Sequence, residues 1–294
     1  MLKLVILIIY FAVLIGIGLY CRKHATDVNG FVLGGRSVGP WLTAFAYGTS
    51  YFSAVVFVGY AGQFGWKYGI AATWAGIGNA IIGSLLAWVV LGRRTRIMSQ
   101  HLDSATMPQY FGKRFGSNPL KIGASVIIFI FLIPYTASLY NGLSRLFGMA
   151  FNIDYSVCII IMATLTAIYV IAGGYMATAI NDFIQGIIML FGIVAVIAAV
   201  IHSKGGFMSA LQGLANVSDP AVSDTPGIFA SFFGPDPFNL LCVVILTSLG
   251  TWGLPQMVQK FYAIDNEASI QKGTVISTIF ALIVSGGCYF LGGF

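Results

Sequence analysis

An all-α protein threaded repeatedly through a lipid bilayer is the fold class this sequence predicts, and three observations predict it. Hydrophobic residues make up 58% of the 294-residue chain and charged residues only 8%, against roughly 25% charged in an ordinary water-soluble domain. Several apolar stretches exceed the ~20 residues a helix needs to cross the hydrocarbon core. The Lys and Arg residues gather in a few connections instead of covering the chain, which is the pattern membrane topology imposes.

Eight apolar segments follow one another, at 3–21, 41–63, 69–92, 121–150, 155–173, 178–202, 238–260 and 273–294. The first is followed by Arg22 and Lys23 and lacks a small-residue cleavage site, so it reads as a permanent helix and not a signal peptide. The second contains TAFAYGTSYFSAVVFVGYAGQ, residues 43–63, with Thr43, Gly48, Thr49, Ser50, Ser53, Gly59 and Gly62. Glycines and hydroxyls at that density weaken a helix. The third segment carries an amide, Asn79, and the fourth has Arg145 near its outer end. Asp154 in FNIDY is placed to cap the fifth. Gly173 and Gly174 end the fifth, and the sixth opens with Asn181, Asp182 and, one turn on, Gln185.

The connection 204–237 contains DPAVSDTPG and FFGPDP, residues that stop helices. The seventh segment includes TSLGTWGLPQMVQK, residues 247–260, where Gly250, Gly253 and Pro255 interrupt a membrane-length run. The eighth runs to the last residue, Phe294.

Two readings fit the second and seventh segments. Small residues let helices pack closely and proline merely kinks one, or the helices are unwound where protein or a watery cavity satisfies the freed backbone. Two interrupted segments at corresponding positions of two halves are the sequence mark of a secondary transporter's binding region.

Orientation follows from the positive charges. With the N-terminus outside, the inner face receives 11 Lys and Arg residues, among them Arg22, Arg36, Arg93, Arg94, Arg96 and Lys260, and the outer face receives 4, namely Lys3, Lys67, Arg145 and Lys204. This bias places the N-terminus extracytoplasmic and the 93–120 connection inside the cell. On this reading the arginines are orientation charges.

The composition also excludes several classes. Cys21, Cys158, Cys242 and Cys288 are far apart, without a CxxC pair, and read as small hydrophobes. Three scattered histidines do not make a haem or zinc site. A net charge of +6 without a basic patch of interleaved aromatics is not a nucleic-acid footprint. Nothing points to an enzyme or a cofactor, and no filter-like loop points to a channel.

Four motifs, GGRSVGPWLTAFAYGTSYFSA, GWKYG, GGYMATAINDFIQG and GLPQMVQKFYAI, stand in this order along the chain. Together they resemble the sodium:solute symporter family, whose members carry proline, pantothenate, sugars and sialic acid. The resemblance implies a LeuT-type inverted-repeat fold with an extra N-terminal helix. Residues 1–21 would be that extra helix, 41–202 the first five-helix repeat, 204–237 an extracytoplasmic loop and 238–294 part of the second repeat. Core helices eight to ten have no counterpart here, so the resemblance implies that the chain is an N-terminal portion, truncated within the second repeat.

The resemblance also assigns roles. Thr49, Phe52 and Ser53 in the first break match positions of the family's main sodium site, with backbone carbonyls of Thr49 and Phe52 as ligands; oxygen is what a hard cation wants. The partner hydroxyls from core helix eight lie outside the chain. Asp182 matches the acid of the family's GGxxAxxxxD pattern, implicated in sodium coupling. Its other reading is a first-turn carboxylate at a helix N-terminus. Ser50, Tyr51 and Ser53, with Trp252 and Gln256 of the second break, are the solute candidates; Asn79 and Gln63 follow them. For Asn79 an interhelical amide bond is the competing reading, and for Trp252 simple aromatic packing. Tyr51 stands where some family members, proline carriers included, place an aspartate, which argues against a mechanism built on that acid and leaves the solute open.

The function implied is sodium-coupled symport of a small organic solute by alternating access, at the plasma membrane, with sodium as coupling ion and lipid as the other partner. The alternatives are a symporter-like sensory or interaction module and a fragment without transport.

Overall fold

The computed structural model describes residues 2–53 and 55–294; Met1 and Ala54, the last residue of the first motif, lie outside the described residues. The described chain is helical, with two isolated β-bridges, Val38 to Ile264 and Asp219 to Ser223. Helix α1 is Leu2–Cys21. Helix α2, Val28–Leu33, is capped by Asp27, whose carboxylate accepts from Gly30 N at 3.1 Å. Helix α3, Pro40–Tyr51, ends at a bend at Phe52, and a π-helical turn at Val55–Tyr60 leads into α4, Ala61–Tyr68. Helix α5, Thr73–Gly78, continues as π-helical turns at Asn79–Leu86 and Trp88–Gly92 and then as α6, Arg93–His101.

Helices α7, Met107–Phe115, and α8, Asn118–Phe151, follow, each with a proline in its first turn, where the missing N–H costs no bond. Helix α9 is Tyr155–Ser203, α10 Phe207–Ala215, α11 Pro237–Leu249, α12 Pro255–Ala263 and α13 Glu267–Gly292. Among the described residues, the stretches Val55–His101, Asn118–Phe151, Tyr155–Ser203 and Glu267–Gly292 are long and apolar enough to span a bilayer. Val5–Cys21 and Pro237–Leu249 are shorter apolar helices.

Most segment ends agree with the sequence to within a few residues, but two connections differ. Helix runs on from Val55 to His101 across the gap expected between 63 and 69. The segments expected at 155–173 and 178–202 join in a single element, α9, with Gly174 as its one non-helical residue (φ 56°, ψ −149°). A side chain there would sit 2.8 Å from Phe31 O, and one at Gly173 would sit 2.6 Å from Gly18 O. The two glycines redirect the helix where it presses on α1 and α2, and no loop is needed. Asp154 caps α9 as its position suggests, accepting from Ser156 N at 2.8 Å.

The chain divides into two compact units. The first comprises Met1–Ser50, Val90–Gln185 and Pro255–Gly273. Its core gathers Leu33, Val38, Tyr175, Ala179, Val258 and Tyr262. Helix α8 in this unit keeps an exposed apolar surface, with Phe129 70% and Phe131 69% exposed, a surface that lipid tails cover at no hydrophobic cost.

The second unit comprises Tyr51–Val89, Gly186–Leu254 and Thr274–Phe294. Its core contains Val56, Ala61, Ala75, Ile193, Cys288 and Tyr289. Helices meet there at glycine: a side chain at Gly76 would lie 2.6 Å from Gly286 Cα, and one at Gly65 would collide with Gly292 O. Close approach through small residues is how helices associate where lipid removes the hydrophobic drive. The chain passes from one unit to the other between Ser50 and Tyr51, just before the bend at Phe52, and between Leu254 and Pro255, where α12 begins. Cys21, Cys158 and Cys288 are buried free thiols and Cys242 is an exposed one.

Candidate functional site

The first unit holds Thr49, Ser50, Asp182 and Gln256 of the sequence candidates. Asp182 lies on α9 about two turns beyond Gly174. The helix resumes directly at Tyr175, so the first-turn reading does not apply: Asp182 sits past the reach of the helix N-terminus, which fades within one turn. Its carboxylate faces the Lys260 ammonium of α12, with Oδ2 3.6 Å from Nζ. The Thr49 hydroxyl also interacts with it while donating to Phe45 O at 2.9 Å. Lys260 further lies over the Tyr175 ring, 5.0 Å from its centroid.

Beside this pair, the buried amide of Asn181 has no hydrogen-bond partner on either its oxygen or its nitrogen among the described residues. The same is true of the side-chain amide of Gln256, one turn before Lys260 on α12. Buried polar groups are normally bonded, and unbonded ones call for an explanation.

A second polar arrangement in this unit involves the arginines. Arg36, in the left-handed region at φ 54°, donates to Ser104 O at 2.8 Å, to Ser99 O at 3.3 Å and to Tyr262 O at 3.3 Å. Burial pushes the Arg36 pKa down from its ordinary value, and neighbouring Arg96 adds to the effect. Arg96 itself is 5% exposed and donates to Ile264 O at 2.5 Å and Asp265 O at 2.9 Å. The backbone joins in: Val38 N donates to Ala263 O at 3.2 Å and Asp265 N to Val38 O at 3.0 Å. The approach to α3 and the exit from α12 are thus clasped together. Arg93 pairs with Glu267 at 2.6 Å, both exposed. Arg36 and Arg96, read from the sequence as orientation charges, serve in the folded chain as donors to the backbone carbonyls of Ser99, Ser104, Tyr262, Ile264 and Asp265.

The second unit holds Tyr51, Phe52, Ser53, Asn79 and Trp252. Asn79 is 1% exposed and stands at the start of a π-helical stretch, a geometry often found at functional positions. Its Oδ1 accepts from Thr247 Oγ1 at 3.0 Å, Ser248 Oγ at 3.1 Å and Tyr51 OH at 3.2 Å. Its Nδ2 donates to Ser285 Oγ at 3.4 Å. Tyr51 OH also donates to Thr247 O at 2.9 Å, and its ring stacks on Phe52 with centroids 4.4 Å apart. Gly83 is required here, because any side chain would collide with the Tyr51 hydroxyl. Trp252 donates to Ile82 O at 3.0 Å. Ser53 O accepts from Val56 N at 3.0 Å and Phe57 N at 3.2 Å, which restarts the helix after the bend. Gln63 is exposed.

Two groups escaped notice as site residues. Lys260 counted only as an inner-face charge, although an ionisable residue inside an apolar segment is by default functional. The hydroxyls of Thr247 and Ser248 stood in plain view in TSLGTWG; their meaning depends on Asn79, far away in sequence.

Interrupted helices, buried amides and a carboxylate within membrane-length segments define a multi-pass helical membrane protein built around polar breaks. The chain belongs to the sodium:solute symporter family, whose pattern matches residues 31–294. It is 30% identical over 287 residues to the osmoregulated proline transporter OpuE of Bacillus subtilis (strain 168), covering 97% of this chain and 56% of that protein. It is 32% identical over 282 residues to a sodium/proline symporter of Staphylococcus aureus (strain JH9), covering 91% of this chain and 51% of that protein. The chain therefore spans about half the length of the curated relatives it matches. A solved structure of a Na+-coupled sialic acid symporter in a substrate-bound outward-open state superposes with a TM-score of 0.77 at 16% identity, over 100% of this chain and 61% of that one. The LeuT-type fold implied by the motifs is thus the fold of the chain.

Proposed function

We propose that the protein is a sodium-coupled secondary symporter of a small organic solute, working by alternating access in the plasma membrane with its N-terminus outside. The observation that carries this reading is the pair of interrupted helices, one broken after Tyr51 and one at Gly250–Leu254, in a chain with the fold of a sodium-coupled symporter. Unwound turns free carbonyls for a cation and polar side chains for a solute. Thr49, Phe52, Ser53 and Asp182 are the proposed sodium-binding and coupling residues. Ser50, Tyr51, Ser53, Asn79, Trp252 and Gln256 are the proposed solute residues. The N-terminus-outside orientation rests on the 11 against 4 distribution of positive charges.

The relatives suggest proline or a sialic acid as first solutes to try, and Tyr51, where proline carriers of the family place an acid, favours testing sugars and other organic acids beside proline. The native protein, reconstituted in proteoliposomes, should accumulate one of these labelled solutes under an inward sodium gradient and not under an equal potassium gradient. Asp182→Asn should raise the half-saturating sodium concentration about tenfold or more, the effect of removing a nearby opposite charge. No sodium-dependent uptake of any solute would refute symport, and an unchanged sodium requirement in Asp182→Asn would refute the role of Asp182.

A further inference from the structure

The pair formed by Asp182 and Lys260 has an unusual design. Both side chains are withdrawn from solvent, Lys260 7% and Asp182 22% exposed, yet they stand 3.6 Å apart. That is longer than a charge-assisted hydrogen bond of about 2.7–2.9 Å. A buried ion pair repays its desolvation only with close geometry and further bonds, and this pair lacks the close geometry. The lysine also has a second favourable contact that does not depend on Asp182, the face of the Tyr175 ring, whose centroid is 5.0 Å from its nitrogen. Unbonded amide oxygens lie on the same two helices, at Asn181 next to Asp182 and at Gln256 one turn from Lys260. The Thr49 hydroxyl is within hydrogen-bonding reach of the carboxylate. Carboxylate, amide and hydroxyl oxygens are the donor set of a hard cation; the ammonium, 3.6 Å from Asp182, leaves both amide oxygens unbonded where it now stands.

We propose that Lys260 is a tethered counter-cation of Asp182, which the coupling cation displaces, so that Lys260 sets the cation affinity of this carboxylate. Resting on the symport reading above, this adds a competitor to it. With no cation bound, the ammonium neutralises Asp182 and keeps the buried carboxylate affordable. When sodium arrives, it takes the carboxylate and the Thr49 and Asn181 oxygens, and the ammonium leaves the carboxylate, keeps its contact with the Tyr175 ring and turns to the free Gln256 amide oxygen of its own helix. The site then never carries an uncompensated negative charge, and it does not carry two cations on one carboxylate.

Two substitutions pull in opposite directions. Lys260→Met keeps the length and apolar stem but removes the competitor; sodium should bind more tightly, with the half-saturating concentration lowered about tenfold. Lys260→Arg keeps the charge and adds a planar fork matched to a carboxylate; sodium should bind several-fold more weakly. The readouts are equilibrium binding of radioactive sodium to the purified native protein and the sodium dependence of uptake. Asp182→Asn combined with Lys260→Met leaves no charge at this pair, controls for folding, and should abolish the gain seen with Lys260→Met alone. Shifts in the same direction for the two single variants, or no shift in either, would overturn the proposal while leaving symport intact if the native protein remains sodium-dependent. A native protein that binds no sodium would sink both. A lysine that serves packing alone predicts loss of stability in both variants without divergent sodium affinities.

Discussion

Replacing Asn79 with leucine tests whether the amide is a structural hub. Leucine has the same heavy-atom count and branching and no polar atom, so the bonds disappear while the shape of the side chain is largely kept. Two interhelical bonds reach the amide without an obvious substitute: Ser248 at 3.1 Å and Ser285 at 3.4 Å. The Tyr51 hydroxyl keeps Thr247 O at 2.9 Å as its acceptor, and the Thr247 hydroxyl can fall back on Val243 O at 2.9 Å. Bonds of this kind inside membranes average about 0.6 kcal/mol and reach about 1.7 kcal/mol. Asn79→Leu should therefore lower stability by about 1–2 kcal/mol. A double-mutant cycle apportions the loss. Asn79→Leu with Ser248→Ala should show a coupling of about 0.6 kcal/mol or more, and the longer Ser285 contact should show less. Reversible unfolding in detergent micelles, followed by circular dichroism against denaturing detergent, measures both. Zero coupling to Ser248, or a larger coupling to Ser285 than to Ser248, would refute this account of Asn79.

Two further outcomes are expected. Arg36→Ala strips the clasp of its donors to Ser104 and Tyr262 and should destabilise by about 2–3 kcal/mol, the scale of hydrogen bonds from a charged group; Arg36→Gly should recover about 1 kcal/mol of that, since glycine tolerates the φ of 54° that Arg36 adopts, and equal losses in thermal melts of the two variants would contradict the strain argument. Cysteines placed at Gly253 and Leu254, in the break between α11 and α12, should react with water-soluble thiol reagents in intact membranes, and protection at both positions, as on a lipid-facing helix, would count against a hydrated break.

What the sequence determined by itself is local in origin. The apolar runs, the proline and glycine stops, the Asp154 cap and the two interruptions each follow from residues within a turn or two of one another, and membrane helices satisfy their own backbones in isolation. The four motifs likewise pointed to the family without any knowledge of contacts. The tertiary structure decided everything that joins residues remote in the chain. Whether the acid at Asp182 faces a helix end or a lysine depends on α12 lying against α9. The meaning of Asn79 depends on α11 and α13 presenting hydroxyls to it, and Arg36 became a clasp only where α6 and α12 offered carbonyls. The joining of two expected segments into α9 has the same cause: a glycine that would end an isolated helix is held, by close approach to Phe31 and Gly18, in a turn from which the helix resumes. Periodicity and composition encode which residues want lipid and where a helix stops. Which buried amide or charge finds which partner is fixed only when packing brings the helices together, because the cost of an unpaired polar group is felt only in the buried state.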